Sequence, residues 1–321
     1  MNRRRWSGFA LLLAVAAATP AATTSADAEG PFVLVLGTAQ DGGIPHLGGH
    51  AAPDLAARRD PTLARTVASL LVVDPRSQRR WLIDASPDLA AQLARAEAVV
   101  PVRAVASGRP PILDGVFLTH AHVGHYLGLA QLGREIYAAD RVPVWGSKRM
   151  TAFLAGNGPW ELLVRLGHIA PRTIAPEAPV ELAPGLSVTP LLVPHRDEYT
   201  DTFGFEIRGP RRALLYIPDI DKWERWERSI EAAIARVDVA LLDGSFYAAG
   251  ELPGRSMAEV PHPLVAESLA RFAPLPAAER AKVAFTHLNH TNPAALAGTP
   301  ERRAIDAAGM RVAEDGERID L

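Results

Sequence analysis

Three histidines, His120, His122 and His125, stand directly after an apolar run, Val116 to Leu118. Side chains two apart in extended chain share a face, so His120 and His122 can reach one ion. His125 follows as the chain bends into a helix, and it can point to a second ion nearby. Neutral imidazole is the commonest protein metal ligand and suits zinc, iron and copper. One such histidine would read as a loop or cap residue; three at this spacing read as a metal site.

Other chemistry-bearing residues also close apolar runs. His195 follows Leu191 to Pro194, and Asp219 follows Leu214 to Pro218. A carboxylate there can bridge two cations, or serve as a turn residue or helix cap. Asp243 ends Val239 to Leu242 and is open to three readings: ligand, support for a ligand, or turn residue. His287 and His290 share the segment Phe285 to Pro293, where one can be a ligand and the other a hydrogen-bonding or proton-transfer group. His46 and His262 sit in loops that can line a site. His168 reads as a helix C-terminal residue and His50 as a surface residue.

Short apolar runs alternating with helical patterns must position these groups. Strands are predicted over Phe32 to Leu36, Ala68 to Val73, Trp81 to Ile83, Val116 to Leu118, Leu186 to Val193, Thr202 to Ile207, Ala213 to Ile217, Val237 to Leu242 and Val283 to Phe285. Ser86-Pro87-Asp88 predicts a helix start. Further helices are predicted over Leu127 to Ala138, Lys222 to Arg236 and Pro263 to Phe272, with Ala170 to Pro184 a loop. The pattern is that of one mixed α/β domain over residues 29–321.

Composition narrows the chemistry. The 321 residues contain no cysteine, which removes disulfides, thiolate ligands and cysteine nucleophiles; any metal must be held by His, Asp or Glu. Lys+Arg is 34 against Asp+Glu 36, so no basic excess exists to hold a nucleic acid, and a small-molecule substrate is expected. Arg3 to Arg5, the uncharged run Phe9 to Ala18 and the small pair Ala26 and Ala28 predict a signal peptide over residues 1–28, hence a periplasmic or secreted protein. The run is too short for a membrane span, so no stable membrane association is expected after cleavage.

The order His120, His122, His125, then His195, Asp219 and His287 resembles the metallo-beta-lactamase-fold superfamily, whose signature is H-x-H-x-D-H followed by His, Asp and His at later strand ends. Within it the chain is similar to relatives of coenzyme PQQ synthesis protein B, on the segments Val35 to Pro45, Leu132 to Ile136 and His287 to Pro293. The resemblance implies a four-layer αββα sandwich of two mixed sheets with helices outside. It implies that His120, His122 and His195 hold one metal, that Asp219 bridges, and that His125 and His287 hold a second. Zinc is the expected metal, with iron or manganese as alternatives.

Two features depart from that pattern. Gly124 stands where the family has the Asp that ligates the second metal. A weaker or empty second site follows, or one completed by another group such as His290 or Asp197, and an Asp at position 124 is expected to tighten it provided the backbone there tolerates a side chain. The PQQ protein also belongs to a cytoplasmic pathway, whereas this chain reads as exported. The leading function is an exported metal-dependent hydrolase acting on an ester, lactone, amide or phosphoester, with His290 or His262 protonating the leaving group. The alternatives are an iron-dependent oxygenase related to PQQ biosynthesis, and a non-catalytic metal- or ligand-binding scaffold. The signal peptide is directly testable: protein recovered after export should begin at Glu29, and intact-mass measurement showing residues 1–20 still attached would refute cleavage.

Overall fold

Strands that are apolar at every position must be covered on both faces. In the computed structural model, which describes residues 30–321 apart from 253, 255, 258 and 259, the strands Phe32–Gly37 (β1) and Ser69–Asp74 (β2) are buried throughout. The predicted signal peptide lies outside the described residues. Next come Arg79–Ile83 (β3), Gly115–Phe117 (β4), Val142–Gly146 (β5) and Ile169–Thr173 (β6). The chain then forms Val180–Ala183 (β7), Leu186–Val193 (β8), Thr202–Arg208 (β9), Ala213–Ile217 (β10), Val239–Asp243 (β11), Val283–Thr286 (β12) and Arg311–Val312 (β13). Arg318–Asp320 (β14) returns to pair with β1.

Among the described residues these strands make two seven-stranded sheets, ordered β14-β1-β2-β3-β4-β5-β6 and β13-β12-β11-β10-β9-β8-β7. Both are mixed. β3 to β6 run parallel, as do β10 to β13, while the remaining pairs are antiparallel. Alternation along β1 shows the layering. Val33 and Val35 face a central core with Phe117, Phe203, Phe205 and Tyr216, whereas Phe32, Leu34 and Leu36 face an outer core with Leu89, Leu93 and Leu129. A second outer core, with Ile217, Trp223, Ile230 and Phe272, covers the other sheet. Helices outside, two sheets inside: this is the four-layer sandwich that the resemblance implies.

The chain departs from its sequence reading in three segments. Leu127 to Ala138 is not one α-helix; a 3-10 helix spans Leu127–Leu132 and turns follow. Gly128 accounts for this, since its N–H donates to Ala85 O at 2.9 Å and a Cβ there would collide with Ser86 O. Lys222 to Arg236 divides into the 3-10 turn Trp223–Arg225 and the helix Ile230–Ala235, which Ser229 caps by accepting from Ala232 N. Two tryptophans, Trp223 and Trp226, bury their rings in the intervening stretch. Ala170 to Pro184 holds β6 and β7 rather than a loop; both are edge strands, where Pro171 costs no ladder bond to an outer neighbour.

Phe117 joins the two sheets. It is fully buried, stacks on Trp145 at 4.6 Å between centroids and meets Phe205 edge-on at 5.8 Å. Phe117→Ala should cost about 3–5 kcal/mol of stability. Urea unfolding would measure it, and a loss under about 1 kcal/mol would show that the seam does not depend on this ring.

Candidate metal centre

Ligands in α/β sheets collect outside the carboxyl ends of strands, and here both sheets contribute there. β3 leads to Asp84, β4 to His120, β8 to His195, β10 to Asp219 and β12 to His287, and β11 ends at Asp243. These side chains converge into donor groups whose atoms lie within 4.8 Å of one another: His120, His122, His195 and Asp219; Asp41, His125 and His287; and Asp219, Asp243 and His262.

Asp219 lies at the centre. Its Oδ2 is 3.3 Å from His120 Nε2, 4.0 Å from His122 Nδ1, and 3.9 Å from the Nε2 atoms of both His125 and His287. Its Oδ1 is 3.2 Å from His195 Nε2 and 3.2 Å from His262 Nδ1. Neither ring nitrogen of His195 has a hydrogen-bond partner, nor has Asp219 Oδ1, although all three are buried. Elsewhere ring nitrogens face each other: His120 Nε2 and His122 Nδ1 at 2.8 Å, His125 Nε2 and His287 Nε2 at 3.2 Å. Convergent lone pairs with unmet bonding capacity are what a cation satisfies, so the donors fit a metal. The set is nitrogen and carboxylate oxygen without thiolate, which suits zinc.

The outer nitrogen of most rings is fixed from behind. His125 Nδ1 is held by Asp84 at 2.8 Å, His120 Nδ1 by Thr119 Oγ1 at 2.9 Å, and His287 Nδ1 by Ser245 Oγ at 2.9 Å. Each bond sets ring orientation and leaves Nε2 aimed inward. His122 is reversed: Nε2 meets Glu198 at 2.9 Å and Nδ1 faces the site. Asp84 also accepts from Thr119 N and Oγ1, so it braces two histidines at once. Both Asp84 (φ 65°) and His287 (φ 61°) occupy left-handed backbone, a strained state that concentrates at functional sites.

Charge follows this geometry. Burial, then the neighbouring His125, hold His120 well below the ordinary imidazole value, keeping it in the neutral form that donates to a metal. His287 is lowered by burial as well. Burial also opposes charge on His125, but Asp84, with Asp41 and Asp219, overrides it and lifts that ring to about 9. Burial would raise Asp219, yet His195, His262 and His287 keep it well below the usual carboxylate range. Burial likewise opposes charge on His262 and His122, but Asp243 and Asp219 lift the first to about 9 and Asp219 with Glu198 raise the second, so rings of both kinds share the site.

All six sequence-predicted ligands, His120, His122, His125, His195, Asp219 and His287, meet here. Asp243 is a support: Oδ2 takes His262 Nδ1 at 2.9 Å and Oδ1 takes Ser245 N at 2.9 Å. The expected replacements for the missing carboxylate do not reach the second group. His290 Nδ1 is bound to Asp54 at 2.7 Å and its ring stacks on His46 at 4.4 Å. Asp197 lines a separate cleft with Asp201, Arg225 and Trp226. Asp41, which the sequence reading passed over, joins His125 and His287 instead. A Cβ on Gly124 would lie 2.7 Å from Asp41 Cα and nearer still to its Oδ1. An Asp at 124 therefore requires Asp41 to shift, so the condition on the expected tightening is not met by the chain as it stands. Asp84, Thr119, Ser245 and Glu198 were also missed; Asp84 closes a predicted strand just as the histidines do.

A family model described as "Beta-lactamase superfamily domain" matches residues 79–287. Coenzyme PQQ synthesis protein B of Methylobacterium radiotolerans is 30% identical over 311 residues, 90% of this chain and 99% of its own length. The crystal structure of Zn(2+)-bound PqqB from Methylobacterium extorquens superposes with a TM-score of 0.75 at 25% identity, over 90% of this chain and all of that one. A diphosphatase of the PhnP family shares the fold, with a TM-score of 0.62 at 20% identity over 91% of this chain and 97% of its own.

Removing a donor and removing a brace should differ in degree. His120→Ala or His122→Ala is expected to abolish tight zinc retention, whereas Asp84→Asn should weaken it by about 10–100-fold. Elemental analysis and competition with a chromogenic chelator would measure both. Unchanged zinc content in the two histidine variants would overturn the first group as a metal site.

Proposed function

Since this chain belongs to the metallo-beta-lactamase superfamily and is a PqqB-like member of it, we propose that it is a metal-dependent hydrolase exported from the cytoplasm. The observation that carries the hydrolytic reading is Asp219, whose Oδ2 lies 3.3–4.0 Å from nitrogens in both donor groups. One carboxylate shared between two adjoining donor sets is the arrangement of two-cation hydrolytic sites. Zinc held there would polarise the attacked group and acidify a water, as hydrolysis of an ester, lactone, amide or phosphoester requires.

The chain's own residues prepare that chemistry. His120 is kept neutral, and Thr119, Asp84 and Ser245 fix which nitrogen of His120, His125 and His287 faces inward. His262 Nδ1 lies between Asp219 and Asp243, so in this reading it positions Asp219 rather than meeting the leaving group. His290 is partly exposed and Asp54 orients its Nδ1, which leaves it the proton-transfer role. Export rests on the pattern of residues 1–28, and the near-neutral composition supports a small-molecule substrate.

The test is a hydrolysis screen of zinc-loaded protein on chromogenic esters, lactones, amides and phosphodiesters. Activity should appear in one class and vanish in His120→Ala. His290→Ala should keep its zinc and lose about a hundredfold in kcat. No hydrolysis in any class, together with oxygen uptake by iron-loaded protein, would overturn this reading in favour of the oxidative alternative. Full zinc occupancy with neither activity would favour a binding scaffold.

A further inference from the structure

We propose that Asp41 supplies the carboxylate of the second metal position, and that positions 41 and 124 are interchangeable but mutually exclusive places from which that carboxylate can come. The inference rests on the metal-site reading above and extends it to a residue far from the histidine motif.

Asp41 Oδ1 is 3.9 Å from His125 Nε2, and Asp41, His125 and His287 converge as one donor group. Asp219 Oδ2 is 3.9 Å from each of those two histidine nitrogens, so a cation among them would meet two carboxylates and two imidazoles. The charge matters: two cations in neighbouring positions repel, neutral histidines cannot offset this, and Asp219 alone serves both positions.

The space argues the same way. Gly124 lies in ordinary helical backbone, in the short turn Val123–Tyr126, so it is not there for a left-handed conformation. A side chain is excluded because Asp41 already fills the place, with its Cα only 2.7 Å from where a Cβ would be. The Gly124 N–H turns that contact to use by donating to Asp41 Oδ1 at 3.1 Å. The loop is tied down on its other side, where Gln40 N donates to Leu288 O at 2.9 Å and Asn289 Nδ2 donates to Gln40 Oε1 at 2.5 Å. Asp41 is thereby pinned between the segment that carries His125 and the segment that carries His287. A carboxylate has moved from the turn after β4 to the loop after β1, and glycine at 124 makes room for it.

The experiment is zinc titration into the metal-free mature protein, with zinc per chain by elemental analysis and folding checked by circular dichroism. Wild type should take two equivalents. Asp41→Ala should keep the first and bind the second at least about tenfold more weakly. Asp41→Asn preserves shape and the Gly124 contact without the charge, and should show the same loss if the alanine variant fails to fold. Gly124→Asp alone should also lose the second equivalent, and the double variant Asp41→Gly with Gly124→Asp should regain it. Two tight equivalents in Asp41→Asn, or a tightened second equivalent in Gly124→Asp alone, would overturn the inference. So would a double variant that stays at one. A wild type that takes one equivalent overturns this inference but leaves the first position and the proposed hydrolase standing; a wild type that takes none overturns both.

Discussion

Everything at the open end of this sandwich is arranged around one buried carboxylate. Asp219 is within about 4 Å of a nitrogen from each of six histidines, His120, His122, His125, His195, His262 and His287. An ionised carboxylate withdrawn from water costs several kcal/mol unless it is paired. Of those rings, burial holds His120 and His287 below the ordinary imidazole value, whereas neighbouring carboxylates outweigh burial and raise His122, His125 and His262, the last two to about 9. The convergence of donors is fixed at one point, and the surrounding protein is built to hold that point still.

The fold supplies the rigidity. Donors on long loops would wander, but His120, His195, Asp219 and His287 stand one to three residues beyond strands whose side chains are locked in the central core or in the two outer cores, and Asp41, His122 and His125 follow within eight. Cross-sheet bonds near the site, from Phe203 N to Thr119 O and from Ala121 N to Thr200 Oγ1, hold the two sheet ends in register. The strained backbone at Asp84 and His287 is tolerated because fully buried neighbours fix both residues.

Much of this was readable from sequence, for a physical reason. Buried strands must be apolar runs, so a polar residue that closes such a run stands out; His120, His195, Asp219 and His287 stand out in that way, and His122 and His125 follow His120 closely enough to be read with it. Segments lacking that contrast were misread. Lys222 to Arg236 has helical spacing, yet Trp223 and Trp226 use it to pack a loop. Ala170 to Pro184 is rich in proline, which edge strands accept. Asp41 sits in a glycine-rich turn, 83 residues from its partner Gly124, so local spacing gives no hint of it. The signal was indirect: a glycine in the place of a ligand leaves a volume that something else must fill.

The donors are also divided between the two sheets. Asp41, His120, His122 and His125 follow strands of one sheet; His195, Asp219 and His287 follow strands of the other. An ion held among them would tie the two sheets together at this end, so any motion that parts them would strip it of part of its ligand set. Exchange with ions in solution would then report on that motion as well as on the strength of the individual bonds.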